Sequence, residues 1–126
     1  MSKSFSELCQ DFEDWPKRWM GFSEDIPFGK KIVDIFRPFI EDLIDSKYAE
    51  KTIKRHIDNL WLLGGEIIRD VNMDTDLRSS DALNLLMENI GSDGGPFCRH
   101  LDTEDEQRYF DATCRKLYKF LKRTTG

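Results

Sequence analysis

Seven apolar residues recur at helical intervals in one short stretch of the chain: Ile32, Ile35, Phe36, Phe39, Ile40, Leu43 and Ile44. At 3.6 residues per turn, these steps of three and four place every one of them on a single face. A second stripe follows in Ile53, Ile57, Leu60, Trp61, Ile67, Ile68 and Val71. Two long amphipathic helices cannot remain apart in water, because each must bury its apolar face against another element. No segment shows the strict alternation or the turn-bounded β-branched runs of strands. The stripes therefore predict an all-α fold, and 126 residues fit a single domain.

Local signals set the boundaries. The first stripe reads as a helix from about Phe28 to Ser46. Pro38 lies inside it and predicts a kink, since the apolar phase continues on both sides. The second reads as a helix from Ala49 to Asp70. Gly64-Gly65 in its middle marks either a close approach by a crossing helix or a bend. Upstream, Ser4 and Glu7 have capping-box spacing, and Phe5, Leu8, Phe12 and Trp15 follow at helical steps. Pro16 interrupts them. The stretch Pro16–Phe28 reads as an irregular aromatic arm, so residues 1–27 form a helix and arm packed on a core domain of residues 28–126. Downstream, Asn72–Arg78 reads as a polar loop. Ser79 or Ser80 can cap a short helix bearing Leu83, Leu85, Leu86 and Ile90, and Gly91 stops it. After a loop built on Gly94-Gly95-Pro96, a last helix starts at Asp102 or Thr103, with Thr103 and Glu106 in capping-box register, and runs to about Arg123.

Charged residues make up 34% of the chain, above the usual ~25%, which suits helices with solvated outer faces. There is no run of ~18 apolar residues to span a membrane. The N-terminus lacks the basic start and apolar core of a secretory signal. Cys9, Cys98 and Cys114 are odd in number and widely spaced, as free thiols in a reducing compartment are. A cytoplasmic protein is expected.

Two basic clusters are the candidate functional features. On the last helix, Arg108, Arg115, Lys116, Lys119, Lys122 and Arg123 fall opposite Tyr109, Phe110, Thr113, Cys114, Leu117, Phe120 and Leu121. They form either a stripe that meets phosphates or a solvated face whose signs follow the helix dipole, with Asp102, Glu104, Asp105 and Glu106 at its start. On the preceding long helix, Lys51, Lys54 and Arg55 lie opposite the apolar stripe, near Lys47, and are diluted by Asp58 and Glu66. The net charge of −5 weighs against a nucleic-acid binder. Cys98, His100 and Cys114 lack the paired spacing and the fourth ligand of a structural zinc site, so no metal is expected. Cys114 reads as a buried free thiol, and His56 as a helix-face histidine. No catalytic or phosphate-loop motif is present. The reading is therefore a non-enzyme with no cofactor and no small-molecule substrate.

The stretch GKKIVDIFRPFIEDLIDSKYAEKTIKRHIDNLWLLGGEII resembles the opening half of the N-terminal core-binding domain of tyrosine recombinases, the phage integrases. In that family an amphipathic helix and a short turn precede a T-x-x-x-Y/H helix carrying basic residues, matched here by Lys51, Thr52, Ile53, Lys54, Arg55 and His56. A shorter helix and a final long one follow, as Ser79–Gly91 and Thr103–Arg123 do here. The resemblance implies a four- to five-helix orthogonal bundle of the SAM-like type. It also implies duplex DNA as partner, with Lys51, Lys54, Arg55, Arg108, Arg115, Lys119 and Lys122 on the backbone. The family's catalytic domain would lie downstream, so binding without recombinase chemistry is implied. The GSDGGPFCRHLD loop is longer than the pattern, and the aromatic arm has no counterpart. The alternative is a protein–protein interaction domain or homodimer. Three tryptophans and nine phenylalanines exceed ordinary use, Leu62 points to the polar side of its helix, and Trp19 and Phe22 lie in the arm.

Overall fold

Proline placement explains where the helices begin. Pro is accommodated in a first turn, where its missing N–H has no intrahelical partner anyway. Pro16 and Pro27 both occupy such positions. The computed structural model describes residues 4–96 and 101–125. Among them the α-helices are α1 (Phe5–Leu8), α2 (Trp15–Trp19), α3 (Ile26–Asp45), α4 (Glu50–Met73), α5 (Ala82–Asn89) and α6 (Glu104–Thr125). Short 3-10 turns cover Phe12–Asp14, Ser23–Asp25 and Thr75–Ser79. No strand occurs among the described residues, only an isolated bridge between Gly91 and Gly94.

The N-terminal segment departs from expectation. Pro16 starts α2 rather than ending the first helix, and the arm is a succession of helix and turn. Its aromatic residues form a connected stack. Phe12 meets Trp15 at 4.7 Å between centroids, Trp15 meets Trp61 of α4 at 5.6 Å, and Trp19 stacks on Trp61 at 5.6 Å. Cys9, Phe12 and Trp15 belong to the same core cluster as the later helices.

α3 runs unbroken through Pro38, which is exposed, so the carbonyl it leaves unmatched on that side can be met by water. α4 is likewise continuous across Gly64-Gly65. The close approach there is made by the Trp19 indole, which occupies the space a Gly64 Cβ would take. α4 extends to Met73, and the residues after it form a 3-10 turn rather than an open loop. Ser79 lies inside that turn and Ser80 ends it, so Asp81 caps α5 instead, accepting from the Asn84 amide at 3.0 Å.

α4 packs against α2, α3 and α6, and from Asn59 to Arg69 none of its residues is fully exposed. That explains Leu62 and Trp19, which are half-buried against the core rather than offered as surface. Phe22, 60% exposed, alone of the three stays outside. At the start of α6, the Thr103 hydroxyl accepts from the Glu106 amide at 3.1 Å, and Glu106 accepts from the Asp102 amide at 3.1 Å. Thr103→Ala is expected to destabilise the domain by ~1 kcal/mol through loss of that cap. Lys119→Ala, on the exposed side of α6, should stay within ~0.5 kcal/mol. Equilibrium urea unfolding compares the two, and equal losses would mean that the cap is not formed.

Candidate nucleic-acid interface

The two basic helices lie side by side. Asn59 of α4 is buried, and its Nδ2 donates to the Thr113 hydroxyl at 2.8 Å and to the Tyr109 carbonyl at 3.3 Å. His56 Nδ1 shares a 2.7 Å hydrogen bond with the same hydroxyl. From Tyr48, just before α4, to Asn59 within it, the partners on α6 run back from Lys116 to Tyr109, so the helices are antiparallel.

Each helix lays a cation on an aromatic ring of the other's segment. The Arg55 guanidinium lies 4.6 Å from the Tyr109 ring centroid. Lys116 Nζ lies 4.6 Å from that of Tyr48, just before α4, and donates to its hydroxyl at 2.6 Å. Both tyrosines are exposed, at 40% and 50%. Tyr109 thus does not share the inward face on which the helical phase put it. It stands at the edge of the apolar arc, where a ring can pack while its hydroxyl meets water.

The residues predicted to contact DNA fall into distinct settings. Lys51, Lys54 and Arg55 line one shallow groove on α4, with Glu50 and Asp58 interleaved. Lys54 pairs with Glu50 at 3.2 Å, and Arg108 pairs with Asp105 at 3.2 Å. Lys119 and Lys122 are exposed on α6. Arg115 turns away from α4, donating at 3.3 Å to the Asp93 carbonyl in the Gly91–Gly94 turn. The structure therefore joins the α4 cluster to α6 through Arg55 and places Arg115 on another side.

In sequence, Lys116 reads as part of the basic stripe, Tyr109 as inward-facing and His56 as a helix-face histidine, but none of them reads as a DNA contact, and Tyr48 goes unnamed. Their signal was faint: Lys116 lies at the margin of the basic stripe, and it is marginal residues that meet a neighbouring helix. Burial holds the His56 imidazole below its ordinary pKa, with Lys116 and Arg55 adding to the effect.

Cys98 and His100 lie outside the described residues. Cys114 is buried and packs under Gly95, in a turn where Gly94 takes φ 145°, a conformation that favours glycine. Cys9 is also buried, and its thiol is pushed up to about 12, first by burial and then by Asp11. Among the described residues no three His, Cys, Asp or Glu side chains are grouped to hold a metal. No described helix is long and apolar enough to cross a membrane. No protein-family model matches the chain, and no curated protein or solved structure shows significant similarity to it.

Proposed function

We propose that this chain is a non-catalytic module that holds duplex DNA by its phosphate backbone on the α4–α6 face. The observation that carries this reading is the reciprocal packing of Arg55 on Tyr109 and Lys116 on Tyr48, which brings Lys116 of α6 alongside the α4 cluster. The ion pairs Lys54–Glu50 and Arg108–Asp105 do not close this face. All four side chains are at least 44% exposed. Such pairs contribute only ~0–1 kcal/mol and exchange readily for a phosphate. Along the chain the acidic excess falls in residues 1–29, with six acids against three bases, and residues 72–101, with five against two, and of these acids Asp11 acts on Asp58 at the edge of the α4 groove. The resemblance of residues 28–123 to integrase core-binding domains points the same way, as a fold-level analogy.

A mobility shift with duplex DNA at low salt should show binding that weakens steeply with salt, with a log–log slope of about −0.9 per phosphate contacted. The combined substitution Lys51→Glu, Lys54→Glu and Arg55→Glu should abolish the shift. Absence of any shift at about tens of micromolar protein, against the ~10⁻⁴–10⁻⁶ M usual for backbone binding, would overturn the proposal.

A second reading, a protein-docking domain, draws on Met20, Phe22 and Met73, which are 43%, 60% and 76% exposed. They surround the point where Gly21 packs against Asn72. Light scattering separates the homodimer form of that reading from a monomer.

A further inference from the structure

The charges on α4 run against its helix dipole. A dipole favours acids in the first turn and bases in the last. α6 follows that order, with Glu104, Asp105 and Glu106 at its start and Lys122 and Arg123 at its end. α4 reverses it. Lys51, Lys54 and Arg55 stand exposed in its first two turns, with only Glu50 of the favoured sign. Its last turn holds no base, and exposed Asp70 and Asp74 lie one turn apart there, a like-charge spacing that destabilises a helix. Exposed Asp76 follows in the next turn, and exposed Glu24 in the segment that packs on Asn72 through Gly21. Among the described residues none of these four carboxylates is in an ion pair; Arg69 makes none, and Arg78 is committed to Asp25.

Apolar surface accompanies both ends. The exposed large apolar side chains are Met20, Phe22 and Met73 around the acidic end, and Tyr48 and Tyr109, which carry Lys116 and Arg55, at the basic end. Met73 follows Arg55 by 18 residues, five full turns at about 3.6 each, so both project from the same side of α4. Lys54 and Asp74 stand roughly 30 Å apart at ~1.5 Å per residue. That is several times the ~8 Å screening length of physiological salt, so neither end neutralises the other within one chain.

We propose that α4 is the pairing surface for a second copy of this chain, the basic end of each copy meeting the acidic, methionine-bearing end of the other in antiparallel. Both ends share one side, so a two-fold axis closes the pair with two identical contacts. Opposite potentials then meet, whereas parallel pairing would set like charges together. Met20, Phe22 and Met73 gain tyrosine rings to pack on, which suits thioethers in particular. The pairing names the partner for the protein-docking reading above, and it stands whether or not the same basic cluster meets DNA.

Sedimentation velocity of the whole chain over a concentration series tests it. At low salt the chain should form dimers and no longer polymers. Raising salt from about 0.01 to about 1 M, which shortens screening from ~30 to ~3 Å, should dissociate them. Lys51→Glu, Lys54→Glu and Arg55→Glu together make both ends acidic. Glu24→Lys, Asp70→Lys and Asp76→Lys together make both ends basic; Asp74 is spared because its side chain caps the following turn. Either triple variant should raise the dissociation constant about tenfold or more, and an equimolar mixture of the two should restore the pair. A native chain that stays monomeric up to about 1 mM would overturn the pairing and leave the exposed methionines to a different protein. Native dimers indifferent to salt, or a mixture of folded variants that stays monomeric, would overturn its charge-coded form while keeping self-association. A duplex mobility shift should survive in the Lys variant, which retains the basic cluster. Dimers without any shift remove only the DNA reading, and a shift without dimers removes only the pairing.

Discussion

Asp25→Ala should destabilise the domain by about 3–5 kcal/mol, the range for breaking a buried charge pair from one side. Asp25 is fully buried, at 0% exposure, and its carboxylate closes its own turn while reaching a distant one. One carboxylate oxygen accepts from the amides of Gly21 and Phe22 at 2.9 and 3.0 Å. The other accepts from Arg78 Nε at 3.1 Å, linking the start of α3 to the turn that follows α4. Alanine leaves the Arg78 guanidinium, 25% exposed, without its counter-charge, and two amides without an acceptor. The acid dependence has a definite sign. Burial works to raise the Asp25 pKa, but the Phe22 and Gly21 amides and Arg78 outweigh it, and the carboxyl is held below its ordinary value. Its contribution is therefore complete above the unfolded carboxylate pKa of ~3.9 and is lost as pH falls through the lower folded value. Urea unfolding from neutral to acid pH should show that loss in the native chain and a flatter acid limb in Asp25→Asn. A loss below ~1 kcal/mol in Asp25→Ala at neutral pH would mean that the clamp does not form.

This clamp was invisible in the sequence because Asp25 and Arg78 are 53 residues apart and each is of an ordinary surface type. Periodic features were legible. The stripes from Ile32 to Ile44 and from Ile53 to Val71 place α3 and α4, and Thr103 with Glu106 marks the start of α6. Apolar phase and capping chemistry are local, so they survive without tertiary knowledge. Misreadings arose where a neighbour decided the outcome. Leu62 points to the polar side of an isolated α4, but α4 has partners on several sides and Leu62 packs against the core. Pro16 breaks a helix read from the left and opens one read from the right. At the candidate site the cations themselves were legible, but their engagements were not. Nothing in the sequence separates Arg115, drawn to the Asp93 carbonyl, from Arg55, laid on Tyr109. The His56–Thr113 bond spans 57 residues, beyond any pattern of spacing.

Gly64 should respond to alanine in opposite directions depending on Trp19. In the native chain the Trp19 indole lies against the bare Gly64 backbone, donates from Nε1 to the Trp61 carbonyl at 3.0 Å, and stacks on the Trp61 ring. A methyl group at Gly64 meets rigid ring atoms, so the indole must shift and lose that bond and stack. Overpacking of this kind costs ~1–3 kcal/mol. It exceeds the ~1 kcal/mol that alanine gains over glycine in a helix, and Gly64→Ala should be net destabilising. Trp19→Ala alone should cost about 3 kcal/mol, the lower end for a large aromatic, because the ring is only half-buried. In that background the space is vacant, and adding Gly64→Ala should stabilise by about 1 kcal/mol. Gly65 is the internal control. Its nearest neighbour would be Trp19 Cδ1 at 3.6 Å, an ordinary contact, so Gly65→Ala should be tolerated with Trp19 in place. Denaturant unfolding of the four variants decides the matter: if Gly64→Ala proved as benign as Gly65→Ala in the native background, the indole would not lie on Gly64, and the anchoring of α2 to α4 would have to be sought elsewhere.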